Sequence, residues 1–299
     1  MLIGEAAKAA GLTRKAIEYY IGQGLVKPSA RDNGYREFSA EDVERLRRIS
    51  VWRRLSITAD EIGQLLADEA ASGELLRQLA ARKELAVGRE RARQRILQRL
   101  SQGGSYQEFQ SELEALEEGE VISEKLLTAF PGYYGRFICL HFARFLGAPV
   151  KTVRQRAAYE RILEFLDNVP MLVYPEELKE YLMEGTKDIG QEQIREVLES
   201  VRQSVERPKE FLRENKEVID RYLAFKASAE YRGSPLAGVL ELPREFNSAS
   251  GYYDVFIPAM KELSPAYAEY HRQVELANER LLAEYPQLAD ASGQERSLE

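Results

Sequence analysis

Along the first seventy residues the apolar positions fall in short helical runs cut by glycine, and capping residues stand at the cuts. Residues 3–10 (IGEAAKAA) form a helix-favouring run ended by Gly11, a residue suited to the left-handed cap conformation. Leu12 is placed to pack in the turn, and Thr13 offers an N-cap hydroxyl to a second helix, RKAIEYYIGQG, closed by Gly24. The segment Leu25–Phe38 then reads as a hairpin, with Asn33-Gly34 suited to the two positive-φ positions of a type I′ turn and Tyr35 and Phe38 as strand formers. Ser39 and Asp42 cap a third helix whose Val43, Leu46, Ile49 and Trp52 share one face. Thr58 and Glu61 form a capping box before Ile62, Leu65 and Leu66. The predicted order is helix, helix, hairpin wing, helix, short helix.

Residues 73–102 are highly charged, lack proline, and set Leu75, Leu79, Arg82, Ala86, Arg89, Arg93, Ile96 and Leu100 at 4-3-4-3 spacing. That pattern predicts a long connecting helix; a two-stranded coiled coil is an option, with arginines interrupting the middle of its seam. Gln102-Gly103-Gly104-Ser105 breaks the pattern. The remainder reads as helical runs separated by Pro131-Gly132, Pro149, Pro170, Gly190, Pro208, Pro235, Pro243, Gly251 and Pro258. Within it, 236–257 (LAGVLELP and YYDVFIP) carries short-strand or extended-loop character. The expected fold class is mainly α: a winged helix-turn-helix at 1–71, a dimerisation helix or linker at 72–103, an all-helical or nearly all-helical domain at 104–290, and a disordered tail at 291–299.

Composition adds a charge asymmetry. Residues 1–100 carry 19 of the 42 Lys/Arg but only 14 of the 49 Asp/Glu, so a basic head precedes an acidic body. A basic head suits a polyanionic partner. The N-terminus shows neither a basic start nor a long apolar run, so no secretory signal is expected, and the most apolar stretch, Phe137–Leu146, is interrupted by His141 and Arg144. The single cysteine, Cys139, excludes an intramolecular disulfide and a multi-thiolate metal centre. A cytoplasmic location and no membrane partner are therefore expected.

The N-terminal third resembles the MerR family of bacterial transcription regulators. The resemblance rests on Ile3-Gly4-Glu5-Ala6-Ala7, Gly11-Leu12-Thr13, Ile17 with Tyr19-Tyr20, and Gly24-Leu25-Val26-Lys27-Pro28. It continues through Arg31, Asn33-Gly34-Tyr35-Arg36, Phe38-Ser39, Asp42-Val43, Leu46, Ile49, Leu55-Ser56-Ile57 and Glu61-Ile62 with Leu65-Leu66. Two positions depart from the family's habit, which has Arg before the paired tyrosines and Glu after them: here they are Glu18 and Ile21. A carboxylate at 18 is repelled by the phosphate that an arginine there would touch.

In such a head the second helix enters the major groove by its N-terminal end. Thr13, Arg14 and Lys15 are the candidates for base and phosphate contact, Tyr19 can offer its hydroxyl to a phosphate, and the resemblance places Arg36 on the wing against the backbone. Arg53 and Arg54 precede a second wing and are further phosphate candidates. Ile17, Tyr20, Leu12 and Phe38 read as core, while Arg45, Arg47 and Arg48 read equally well as a solvated helix face or a DNA face. The resemblance further implies an antiparallel homodimer through 73–102 on a palindromic double-stranded DNA site. It also implies a promoter with overspaced −35 and −10 elements, bent and twisted for RNA polymerase on activation, in a nucleoid-associated protein.

For the body, Cys139 and His141 lie two apart in an apolar helix and so on different faces, which argues against a metal site; neither metal nor cofactor is expected. Cys139 reads as a buried structural thiol. Tyr133, Tyr134, Phe137, Phe142, Tyr252, Tyr253 and Phe256 are candidates to line a pocket for an organic effector of hydrophobic or cationic, multidrug type; the plain alternative is a ring-rich core. Two rival functions stand beside the sensor. One is an architectural or partner-recruiting DNA-binding protein without a ligand. The other, an enzyme, finds no support in nucleophile-elbow, P-loop, HExxH or dinucleotide motifs.

Overall fold

The structure is a computed structural model that describes residues 1–30, 35–68, 72–130 and 132–286. Its chain divides into two compact units, Met1–Leu79 and Ala80–Glu299.

In the first unit, α1 (Ile3–Ala10) ends at Gly11 with φ 64°, and α2 (Arg14–Gly22) starts where the Thr13 hydroxyl accepts a hydrogen bond from the Ala16 amide at 3.1 Å. β1 (Ser29–Ala30) pairs antiparallel with β2 (Arg36–Glu37), Ser29 opposite Glu37. The expected Asn33-Gly34 turn and Arg31 lie outside the described residues, as do Pro131 and the tail at 291–299. Capping boxes at Ser39–Asp42 and Thr58–Glu61 open α3 (Ala40–Arg54) and α4 (Ala59–Ala67). Ile17, Tyr20, Phe38, Val43, Leu46, Ile49, Ile62 and Leu65 close the core of this unit, with Leu12 and Trp52 partly buried against it. Replacing Thr58 by Ala removes a hydroxyl that accepts from the Glu61 amide and frees the reciprocal carboxylate bond to the Thr58 amide. A loss of about 1 kcal/mol is expected, read as a lower melting temperature of the unit carrying Trp52, the chain's one tryptophan.

The long charged segment is one helix, α5 (Ser72–Ser101), which begins in the first unit and continues into the second. Beyond residue 80 it runs antiparallel to α6 (Tyr106–Ala129). Arg82 pairs with Glu124 at 2.8 Å, Arg89 with Glu120 at 2.7 Å, and Arg99 with Glu112 and Glu108 at 2.8 and 2.9 Å. The arginines at 82 and 89 that interrupt the heptad seam therefore meet glutamates of the same chain.

The second unit continues with α7 (Gly132–Ala143), α8 (Val153–Asn168), α9 (Glu176–Thr186), α10 (Gln191–Glu206), α11 (Pro208–Ala227), α12 (Ala229–Arg232) and α13 (Pro235–Ala249). A π-helical turn (Tyr252–Phe256), α14 (Ile257–Leu263) and α15 (Pro265–Glu284) complete it. Its core is built mainly by α6, α7, α8, the π-helical turn, α14 and α15.

One expectation is corrected: 236–257 is helical, not strand or extended loop. Val239, Leu240, Tyr252, Tyr253 and Val255 give the segment strand-like side chains, but α13 packs on α9, where Gly238 admits Leu178 so closely that a Cβ would lie 2.9 Å from its methyl. Pro243, expected as a breaker, sits inside α13, which forgoes one backbone bond there. Among the described residues no helix is long and apolar enough to cross a membrane.

Candidate nucleic-acid interface

Burial sorts the residues of α2 into two faces. Ile17 and Tyr20 are buried, whereas Arg14, Lys15, Glu18 and Tyr19 are exposed and form one stripe at i, i+1, i+4 and i+5. Tyr19 stands 52% exposed, its ring edge-on to the buried Tyr20 ring at 5.6 Å between centroids. The Thr13 oxygen is used as the cap acceptor, which leaves its O–H proton free to donate. Arg14 lies across α1: a Cβ on Gly4 would come 2.8 Å from its guanidinium, so the glycine makes room for that cation. Arg36 is exposed on β2.

The cations of α3 divide differently. Arg45 donates to the Leu25 carbonyl at 2.6 Å and Arg47 to the Ala9 carbonyl at 3.1 Å, so both tie α3 to neighbouring turns. Arg48 lies over the Trp52 ring at 5.2 Å. Arg53 donates to the Ile57 carbonyl at 2.7 Å, across a turn where Ser56 takes φ 57°. It thus braces the second wing from its exposed side, a role that its position in the sequence does not betray. Arg54 is exposed, its guanidinium reaching toward Gly11.

In the second unit, the seven aromatic candidates do not share one surface. Phe142, Tyr252 and Phe256 are core, stacked or edge-on at 5.0–5.3 Å between centroids. Tyr134 accepts from the Asn247 amide at 2.7 Å, and Tyr253 packs on Tyr252. Tyr133 and Phe137 remain partly exposed, 6.3 Å apart, on the helix that also buries Arg136 completely. Burial pushes the Tyr133 phenol up, and Arg136 partly offsets it. Cys139 is fully buried, donates to the Ser123 carbonyl at 3.4 Å, and has its thiol pushed up to about 12, chiefly by burial and then by the Glu124 carboxylate. It is held as a neutral thiol, the protonation state opposite to a metal-binding one. No group of three His, Cys, Asp or Glu among the described residues is placed to hold a metal ion. A cleft of about 560 Å³, which the sequence did not signal, lies between the second half of α5, the start of α6 and the loop at 147–151.

Residues 1–69 match the MerR HTH family regulatory protein profile. The same region is 45% identical over 67 residues to the HTH-type transcriptional regulator HmrR of Rhizobium leguminosarum bv. viciae, 22% of this chain and 52% of that one. It is 39% identical over 70 residues to the HTH-type transcriptional activator TipA of Streptomyces coelicolor, covering 23% and 28%. Nodulation protein NolA of Bradyrhizobium elkanii is 32% identical over 114 residues, 38% of this chain and 52% of NolA. The match thus spans about half the length of HmrR and NolA, and less of TipA. A MerR-family helix-turn-helix domain stands at the N-terminus of this protein.

Proposed function

We propose that the protein is a MerR-type transcription regulator that binds a palindromic promoter site as a homodimer, activates by distorting the DNA for RNA polymerase, and responds to an organic effector held by the second unit. The observation that carries this reading is the exposed stripe Arg14, Lys15, Glu18 and Tyr19 on α2, together with the exposed cation Arg36 on β2, in a domain of that family. One head offers too few contacts for a tight specific site, and two on a palindrome double them. The test is footprinting on the protein's own promoter region, followed by transcription from it with and without a panel of organic cations and anions. Protection between overspaced −35 and −10 elements with a ligand-dependent rise supports the whole reading. Protection without any ligand response leaves a DNA-binding protein of architectural or partner-recruiting type. No protection at all refutes the DNA function.

Glu18 gives a finer test. Its carboxylate sits within the stripe and has no hydrogen-bond or ion-pair partner among the described residues. Glu18→Arg replaces a repelled group by a phosphate ligand. It is expected to tighten binding at low salt and steepen the slope of log Kobs against log salt by about one unit per head. An unchanged slope would place residue 18 off the DNA.

A further inference from the structure

We propose that the cleft between α5, α6 and the 147–151 loop is the site of a small amphipathic organic anion, a molecule with an apolar body and one carboxylate, sulfonate or phosphate head. The inference rests on the ligand-responsive reading above and gives it a place and a charge.

The cleft's volume, about 560 Å³, lies within the range of small-molecule sites. Ala92, Ile96, Leu116 and Pro149 give it an apolar floor, against which a hydrocarbon or aromatic body gains by leaving water. The loop side is held close because Gly119 in α6 presents no side chain: a Cβ there would lie 2.7 Å from the Leu146 carbonyl oxygen.

The lining carries three cations and two carboxylates, and their pairing decides the sign of the ligand. Both carboxylates are already engaged. Arg99 donates to the two oxygens of Glu112 at 2.8 Å and to Glu108 at 2.9 Å. The same guanidinium stacks on Phe109 at 4.8 Å. Arg95 and Lys151 are exposed at the rim, and neither side chain has a hydrogen-bond or ion-pair partner among the described residues. An apolar floor with two free cations at its edge is complementary to an anionic amphiphile and repels a cationic one. This reverses the preference for a cation that the body's overall acidity implies. The wall also belongs to the helix that runs on from the helix-turn-helix unit, so a ligand here touches the segment that covalently joins head and body.

The test titrates the full-length protein, without DNA, with decanoate, decanol and decyltrimethylammonium at submicellar concentration, by calorimetry and thermal shift. These probes share a chain and differ in head charge. Decanoate is expected to bind at least about tenfold more tightly than decanol, the worth of one charge-assisted contact, and decyltrimethylammonium more weakly than either. R95Q/K151Q should bring decanoate down to the affinity of decanol while leaving decanol binding and the melting temperature unchanged. L116W, which fills the floor, should remove both. Equal binding of the anion and the cation, or decanoate binding that survives R95Q/K151Q, overturns the assignment. So does a loss of self-association in R95Q/K151Q with decanoate binding intact, which would give the cleft to a second copy. Because no DNA is present, failure here leaves the footprinting result standing, and failure there leaves this one standing.

Discussion

Replacing Lys15 and Arg36 together by glutamine is expected to weaken promoter binding by about 10³-fold at physiological salt without moving the melting temperature. On the proposed homodimer two candidate phosphate cations leave each head and four leave the pair. At about 1 kcal/mol for each contact, the loss is near 4 kcal/mol. The salt dependence should flatten by about four units for the same reason, since each neutralised phosphate contributes close to one. Stability is spared because both side chains are exposed and neither has a hydrogen-bond or ion-pair partner among the described residues. Arg53 supplies the contrast. Its bond to the Ile57 carbonyl braces the second wing, so Arg53→Gln should lower both stability and affinity, the first by about 1–2 kcal/mol and seen as a lower melting temperature. Electrophoretic mobility shifts across a salt series, paired with thermal melts, separate the two behaviours. A K15Q/R36Q protein with wild-type affinity and slope would remove α2 and the wing from the DNA.

The head was legible because its signals are local. Thr13, Ser39 and Thr58 each cap the helix that follows them, and the buried positions of α2 to α4 recur at helical spacing within one element. What stayed hidden depended on distant partners. The seam of α5 spells a coiled coil interrupted by arginines, and only the placement of Glu120 and Glu124 on α6 shows what Arg89 and Arg82 meet. Segment 236–257 has strand-like composition, yet α9 and the aromatic core supply helical packing that outweighs it. The aromatic candidates illustrate the same limit. Phe142 and Phe256 have the chemistry of a pocket lining, and burial alone makes them core. The exposed cations at the cleft are scattered at 95 and 151, with no motif to join them.

Lowering the pH from 6.5 to 5 is expected to cost the second unit about 2 kcal/mol of stability, through His141. The imidazole is buried in α7 among Phe142, Tyr270, Phe145 and Tyr267, at 4.9 to 6.5 Å between centroids. Its Nδ1 lies 3.3 Å from the Arg144 guanidinium, which can only donate, so Nδ1 must accept and the ring must be neutral. Its Nε2 is buried with no hydrogen-bond partner among the described residues. Burial first, and the Arg144 charge second, push the folded-state value from 6.5 down to about 3. In an unfolded chain the same ring takes up a proton near its ordinary value, so between those two limits the unfolded state binds more protons. Stability is therefore complete above about pH 6.5 and falls as pH drops toward 3, by at most about 1.4 kcal/mol per unit. In the window from 6.5 to 5 the paired carboxylates Glu199, Glu262 and Glu269 are held below the usual carboxylate value, and the other imidazole, His271 at 3.2 Å from Glu275, is common to wild type and variant, so the comparison with a His141 variant carries the attribution. His141→Phe keeps a ring among rings and removes the titrating group, so its melting temperature, followed by the near-ultraviolet tyrosine signal, should stay level over that window while the wild type declines. A wild-type protein equally stable at pH 6.5 and 5 would mean that His141 is protonated in the fold. The guanidinium of Arg144 would then have to lie elsewhere.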